Sequence, residues 1–262
     1  MSAHLPSSLA QSLTVARYEI HKYLRGMKIY VMLALMALMI GLTLFLPPLF
    51  GGSVPTDPMI FMSQLVNQVT MLIIISAVLF ASDALTGEFE NRTGFLIFPR
   101  PIRRGTLFLG KYMASFAIVS ALIALYFGVA ALLSIYYTGS IYADTLTSLG
   151  LSLLFIAGCN GLAFLVSSLM KRGNTSAVLV FSLFLIIMPM FLFILILNDI
   201  DPIVMLPQAG SAIDIVIPSY FPEPPDAIIL PPIDRGVASA VMAAWAVLCS
   251  IPAALIFGRR EL

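Results

Sequence analysis

The residues able to do chemistry are few and scattered. The nearest thing to a catalytic pair is Glu88 and Glu90, two carboxylates one residue apart. Paired acids serve acid–base work, or hold a metal when histidines join them. The two histidines, His4 and His21, both precede the first apolar run. Cys159 and Cys249 sit inside apolar runs, where a free cysteine packs as a small hydrophobe. Asp199 and Asp201 form a pair too sparse for a calcium site. No G-x-x-x-x-G-K-[ST] phosphate loop occurs; Gly110-Lys111 opens an apolar segment instead of following a strand. The expectation is a chain with no catalytic residue, no metal and no cofactor of its own.

The elements that carry these residues follow from composition. Of 262 residues, 60% are apolar and 10% charged, against roughly 25% charged in a soluble domain. Mean hydropathy is +1.01. A soluble domain cannot hide that much apolar surface, and disorder needs the opposite composition. The net charge of +1 gives no basic field for nucleic acid. What remains is an all-α polytopic protein embedded in the lipid bilayer.

A bilayer core of ~30 Å takes about 20 helical residues. Six segments qualify: 29–50, 61–85, 106–137, 148–170, 175–197 and 236–258. The third is too long for one crossing, so its start near Lys111 is expected to extend beyond the bilayer as extra helix. With six spans, every basic residue except Arg235 falls on one side. The positive-inside rule makes that side the cytoplasm, with both termini in it and the protein in the cell membrane. The opposite loops carry Asp57, Asp144, Asp199, Asp201, Asp214, Glu223, Asp226 and Asp234. No cleavable signal peptide is expected.

Two cytoplasmic stretches stand out. Before the first span, Ser7 and Ser8 offer a helix cap, and Leu9, Leu13, Ala16, Ile20, Tyr23, Leu24 and Met27 recur at helical spacing. Arg17, Glu19, His21, Lys22, Arg25 and Lys28 fill much of the rest. Such a helix lies in the membrane interface, as an anchor or as part of a docking surface. Between the second and third spans, two acids precede an apolar patch, Phe95 to Phe98, then Pro99-Arg100-Pro101 and the basic pair Arg103-Arg104. That pattern suits a short surface helix ended by proline, or an ordinary basic loop.

The second stretch resembles the permease subunits of ABC-2 type ABC exporters. Those show an acid-x-acid turn, a short apolar stretch, Pro-Ile or Pro-Val, an arginine, then Gly-Lys. Glu88, Glu90, Thr93, Gly94, Pro101, Ile102, Arg103 or Arg104, Gly110 and Lys111 fill these places. The run from Ala16 through Arg25 resembles the family's basic elbow helix with its internal Glu19. Ser167 through Arg172 resembles its turn between spans four and five, and Phe257 through Leu262 its basic ending.

The resemblance implies an elbow helix over 1–28 and a six-helix domain over 29–262, with a coupling loop at 86–105 and an outer loop at 198–235. It implies a second permease subunit, identical or not, and separate cytoplasmic ATPase subunits that carry ATP and Mg. Glu88, Phe89, Glu90, Arg92, Phe95, Leu96, Pro101, Arg103 and Arg104 would then seat in the ATPase. Arg17, Glu19, Lys22 and Arg25 of the elbow would help hold it.

Gln64, Asn67 and Gln68 share a helical face near the outer end of span two. They suit a substrate path or hydrogen bonding between helices. Asn160 and Gly161 suit close packing or a ligand, and Pro189 should bend span five. A largely apolar path favours hydrophobic or lipid-like cargo. The outer loop 198–235 holds eight of 17 prolines and six of 13 acids among apolar pieces, so it should be ordered. It suits a closing gate or a dock for an extracytoplasmic protein. A structural or force-transducing subunit that moves no cargo is the competing function; an intramembrane enzyme lacks its residues.

Overall fold

The computed structural model describes residues 8–87, 104–217 and 233–259. Among them, every regular element is a helix. Helix α1 spans Ser8–Arg25 and α2 spans Met27–Leu49. The second apolar segment forms α3 (Pro58–Val66) and α4 (Val69–Phe80). Helix α5 runs Arg104–Thr138 and α6 runs Thr145–Leu169. The fifth segment is α7 (Gly173–Ser182), a π turn (Leu183–Ile187) and α8 (Met188–Leu197). Helix α9 (Leu206–Ile215) precedes α10 (Arg235–Arg259).

Among the described residues, six helical stretches are long and apolar enough to cross a membrane: α2, α3 with α4, α5, α6, α7 through α8, and α10. The six-span, all-α expectation with an N-terminal amphipathic helix therefore holds. Helix α5 has 35 residues, about 50 Å at ~1.5 Å per residue, well beyond a ~30 Å core.

Two spans depart from continuous helix. Span two breaks at Asn67 and Gln68, between α3 and α4. There the Gln68 amide donates to Leu65 O, three residues back, at 3.4 Å, and the α-helical ladder lapses. The span also ends at Phe80 rather than at residue 85, because the Ala81 and Ser82 amides both donate to Ala77 O. Span five meets Pro189, which lacks an amide and crowds the carbonyl four residues back. The π turn over Leu183–Ile187 sits directly before it and absorbs the mismatch.

Burial sorts the spans. In α6, 67% of the membrane window is buried, against 17% in α2 and 17% across α7 to α8. Helix α6 is thus the axis, and α10 packs closely along it. A Cβ on Gly161 would lie 3.1 Å from Ala246 O, and one on Gly158 would lie 3.3 Å from Met242 O. Small residues here let the backbones approach, as membrane helices require. Gly161 therefore serves packing, beside a fully buried Asn160.

Candidate functional site

The loop between spans two and three has two stems, and α1 crosses both. The descending stem is the end of α4 and the turn after it, residues 80–87. The ascending stem is the start of α5. Residues 88–103 lie outside the described residues, and with them Glu88, Phe89, Glu90, Arg92, Phe95, Leu96, Pro101 and Arg103. Arg104 opens α5, and its Nη1 donates to Gly258 O of α10 at 3.4 Å.

On the ascending stem the contact is close. Lys111 is 1% exposed, yet its Nζ reaches Glu19 Oε1 of α1 at 2.8 Å. One turn earlier, Ser12 Oγ donates to Thr106 O at 3.2 Å. Gly110 makes the approach possible. A Cβ there would lie 2.7 Å from Val15 Cβ and 2.8 Å from Ser12 O. The Gly-Lys pair thus acts as a socket for the elbow: glycine gives room, and lysine supplies the counter-charge.

On the descending stem, Tyr23 of α1 is buried and donates its hydroxyl to Phe80 O at 2.9 Å. Its ring meets Phe80 edge-on at 5.4 Å. Burial first, then the nearby Glu19 and Asp83, push the Tyr23 hydroxyl far above its ordinary range. It therefore stays protonated and remains a donor. Lys28, at the start of α2, pairs with Asp83. From the other side, Ser167 Oγ accepts from the Leu85 and Thr86 amides at 3.2 and 3.4 Å, and Ser176 Oγ donates to Ser82 O at 2.5 Å.

The elbow turns a narrow face of small residues and one tyrosine to the protein. Leu9, Leu13, Leu24 and Met27 are exposed, whereas Ser12, Ala16 and Tyr23 are buried. The small polar side of α1, with Glu19, faces protein, which leaves its leucines for the bilayer. Arg17, Lys22 and Arg25 are exposed; Lys22 makes a 3.3 Å ion pair with Glu19. Of the four elbow residues named from sequence, only Glu19 therefore reaches the stems. Tyr23, Lys28 and Ser167 stood within patterns marked in the sequence, but their partners at Phe80, Asp83, Leu85 and Thr86 had no local signal. The small-residue spacing Ser12–Ala16 opposite Gly110 was the available clue.

At the opposite end, Gln64, Asn67 and Gln68 come together with Leu42, Thr43, Leu46, Pro47 and Phe50 of the first span and its end. They line a recess of ≈460 Å³. Gln68 Nε2 donates to Thr43 Oγ1 at 2.6 Å, so one amide also ties two spans. The hydrogen bond between helices considered for this triad is present at Gln68.

Of the loop at 198–235, residues 218–232 lie outside the described residues, and α9 folds back onto the bundle. Leu206, Ala209, Ala212 and Ile213 are buried, chiefly against α6 and α10. Ser148 Oγ donates to Ile213 O at 2.8 Å, and Trp245 Nε1 to Val204 O at 2.8 Å. Gly210 lies on Phe155, whose ring a Cβ would meet at 2.8 Å. Arg235, the lone basic residue of this end, stands 3.8 Å from Asp144. No group of His, Cys, Asp and Glu able to hold a metal occurs among the described residues.

These features meet in comparisons with known proteins. Residues 13–262 match the family described as ABC-2 family transporter protein. A Pseudomonas aeruginosa protein named "Probable ABC transporter permease protein NosY" is 29% identical over 170 residues. That alignment covers 63% of this chain and 62% of the relative, so the chain spans less than two thirds of the relative's length. With a family match over nearly the whole chain, on a six-span helical bundle, the chain belongs to the ABC-2 family of transporter proteins.

Proposed function

We propose that this chain is the transmembrane permease subunit of an ABC exporter, driven by separate ATPase subunits that bind ATP and Mg. The observation that carries the reading is α1 bridging both stems of the loop at 86–105. An element gripped on both stems moves as a unit when its tip is pulled. The loop, with Glu88, Glu90 and the 95–98 apolar patch, would seat in the ATPase. Arg17, Arg25 and Lys22, the last paired with Glu19, are exposed on α1 and would meet a partner or lipid phosphates. Both termini lie in the cytoplasm, following the basic residues.

The working unit pairs two such subunits, identical or not. The little-buried α2 and fifth span are the faces left for that partner and for lipid. Closure of the ATPase pair would pull loop and elbow together and switch the pathway between facings, with the free energy of nucleotide binding. Gln64, Asn67 and Gln68 would line the outer part of the path. The mainly apolar recess suits hydrophobic or lipid-like cargo. Loop 198–235 would close the exit.

The test is co-purification with the ATPase, then transport in vesicles. Glu90→Arg, or deletion of 95–98, should leave ATP hydrolysis running without transport. Normal coupling in both would refute the assignment of this loop. Replacing 198–235 by a short Gly/Ser linker should abolish transport and spare ATPase binding.

A further inference from the structure

The transport reading leaves one ionisable group unused: Asp214, near the end of α9. Its helix is seated by apolar packing, with Ala212 and Ile213 buried just before it. Asp214 is partly buried, and its Oδ1 is enclosed with no hydrogen-bond partner among the described residues. The enclosed carboxylate oxygen has neither a hydrogen-bond donor nor a counter-charge among the described residues. A carboxylic acid lacks only a hydrogen bond, which is far cheaper to forgo.

The elements packed on α9 offer no cation to change this. Helices α3, α4 and α8 carry no titratable group within their ranges. Helix α6 brings Cys159, with Asp144 at its cap. Helix α10 brings Cys249, Arg235 and Arg259. Arg235 pairs with Asp144, and Arg259 lies at the far end of its helix. Burial is what raises the Asp214 carboxyl, to about 8 from an ordinary 3.8.

We propose that Asp214 is a proton-binding site, loaded when α9 is seated on the bundle and emptied to the outer water when α9 lifts. This rests on the reading of 198–235 as the cover of the exit. The proton leaves the carboxyl oxygen for water as the helix parts and returns from water as it reseats.

The sign follows from linkage. Below about 4 both positions of α9 hold the proton, and seating carries no ionisation penalty. Between there and about 8 the lifted helix is ionised and the seated one is not. Seating then weakens about tenfold per pH unit. Above about 8 both are ionised and the penalty is constant.

The experiment uses the full chain with Cys159 and Cys249 changed to alanine. Ala212→Cys reports lifting through reaction with a membrane-impermeant maleimide. Ser53→Cys, exposed at the same end, corrects for the thiol's own pH dependence. With Asp214 present, the ratio of the two rates should rise about tenfold per pH unit from pH 5.5 to 7.5. In Asp214→Asn it should be flat. If that variant does not assemble, the slope with Asp214 decides alone, and a flat one overturns the proton site. Equal slopes in both chains overturn the proton site and leave the cover intact. No labelling of Ala212→Cys at any pH overturns the cover itself, and the proton site with it.

Discussion

At the loop end of the bundle, α1, α2, α4, α5, α6 and α7 meet through Glu19–Lys111, Lys28–Asp83, the Tyr23 hydroxyl and two serine hydroxyls. At the other end, α9 rests on α6 and α10 through apolar side chains and hydrogen bonds to Ile213 O and Val204 O. Directional bonds that tie six elements favour one arrangement and fix register. An apolar seat is tolerant: it parts and re-forms without leaving many polar groups unpaired. Under the proposed function the first end would receive the pull and the second would open.

Mutations that act on each end separate the two kinds of contact. The largest effect should come from Glu19→Gln, which takes the carboxylate from a buried ammonium and should destabilise by about 3 kcal/mol. Thermal unfolding of the detergent-purified chain measures it. The double variant Glu19→Gln, Lys111→Met removes both charges and should regain most of the loss; equal loss in both would mean that the pair matters by shape alone.

Next come two glycines. Gly110→Ala drives a Cβ into Val15 Cβ and the Ser12 carbonyl and should cost about 2 kcal/mol. Gly210→Ala meets only the Phe155 ring, which can turn, and should cost about 1 kcal/mol. A reversed order in thermal unfolding would put the rigid end in the wrong place.

Hydrogen bonds follow. Tyr23→Phe and Ser148→Ala each remove a donor to a buried carbonyl, for about 1 kcal/mol apiece. Their consequences should differ. Ser148→Ala should raise labelling of Ala212→Cys about fivefold, the equivalent of that energy, and Tyr23→Phe should not. The smallest effect belongs to Arg235→Gln. Its partner is 3.8 Å away and both groups are largely exposed, so stability should move by less than about 0.5 kcal/mol.

The sequence made the bundle legible because apolar length and basic asymmetry are global signals. They marked six spans, and Pro189 marked the disturbed fifth. The break at Asn67 and Gln68 was less visible, since the same amides at i, i+3 and i+4 also describe a helical face. Glu19 and Gly110-Lys111 were flagged by pattern, but the ion pair that joins them spans 92 positions of chain. No local periodicity encodes such a pair. The elbow's apolar spacing did not say which of its residues meet protein. Hydrophobic spacing marks the side turned to lipid as readily as the side turned to protein, and here Ser12, Ala16 and Tyr23 take the protein side. Asp214 was counted among the acids of an outer loop. Only the folding back of α9 encloses its Oδ1.

The central claim is that a pull at the loop reaches α9 through the elbow's grip on both stems. Its most direct measurement is labelling of Ala212→Cys in the complex with its ATPase, with and without trapped nucleotide. The original Glu19–Lys111 pair should give a clear nucleotide-dependent change in rate. The Glu19→Gln, Lys111→Met chain should still bind the ATPase and hydrolyse ATP, yet show no change at position 212. An undiminished change in that variant would contradict the claim.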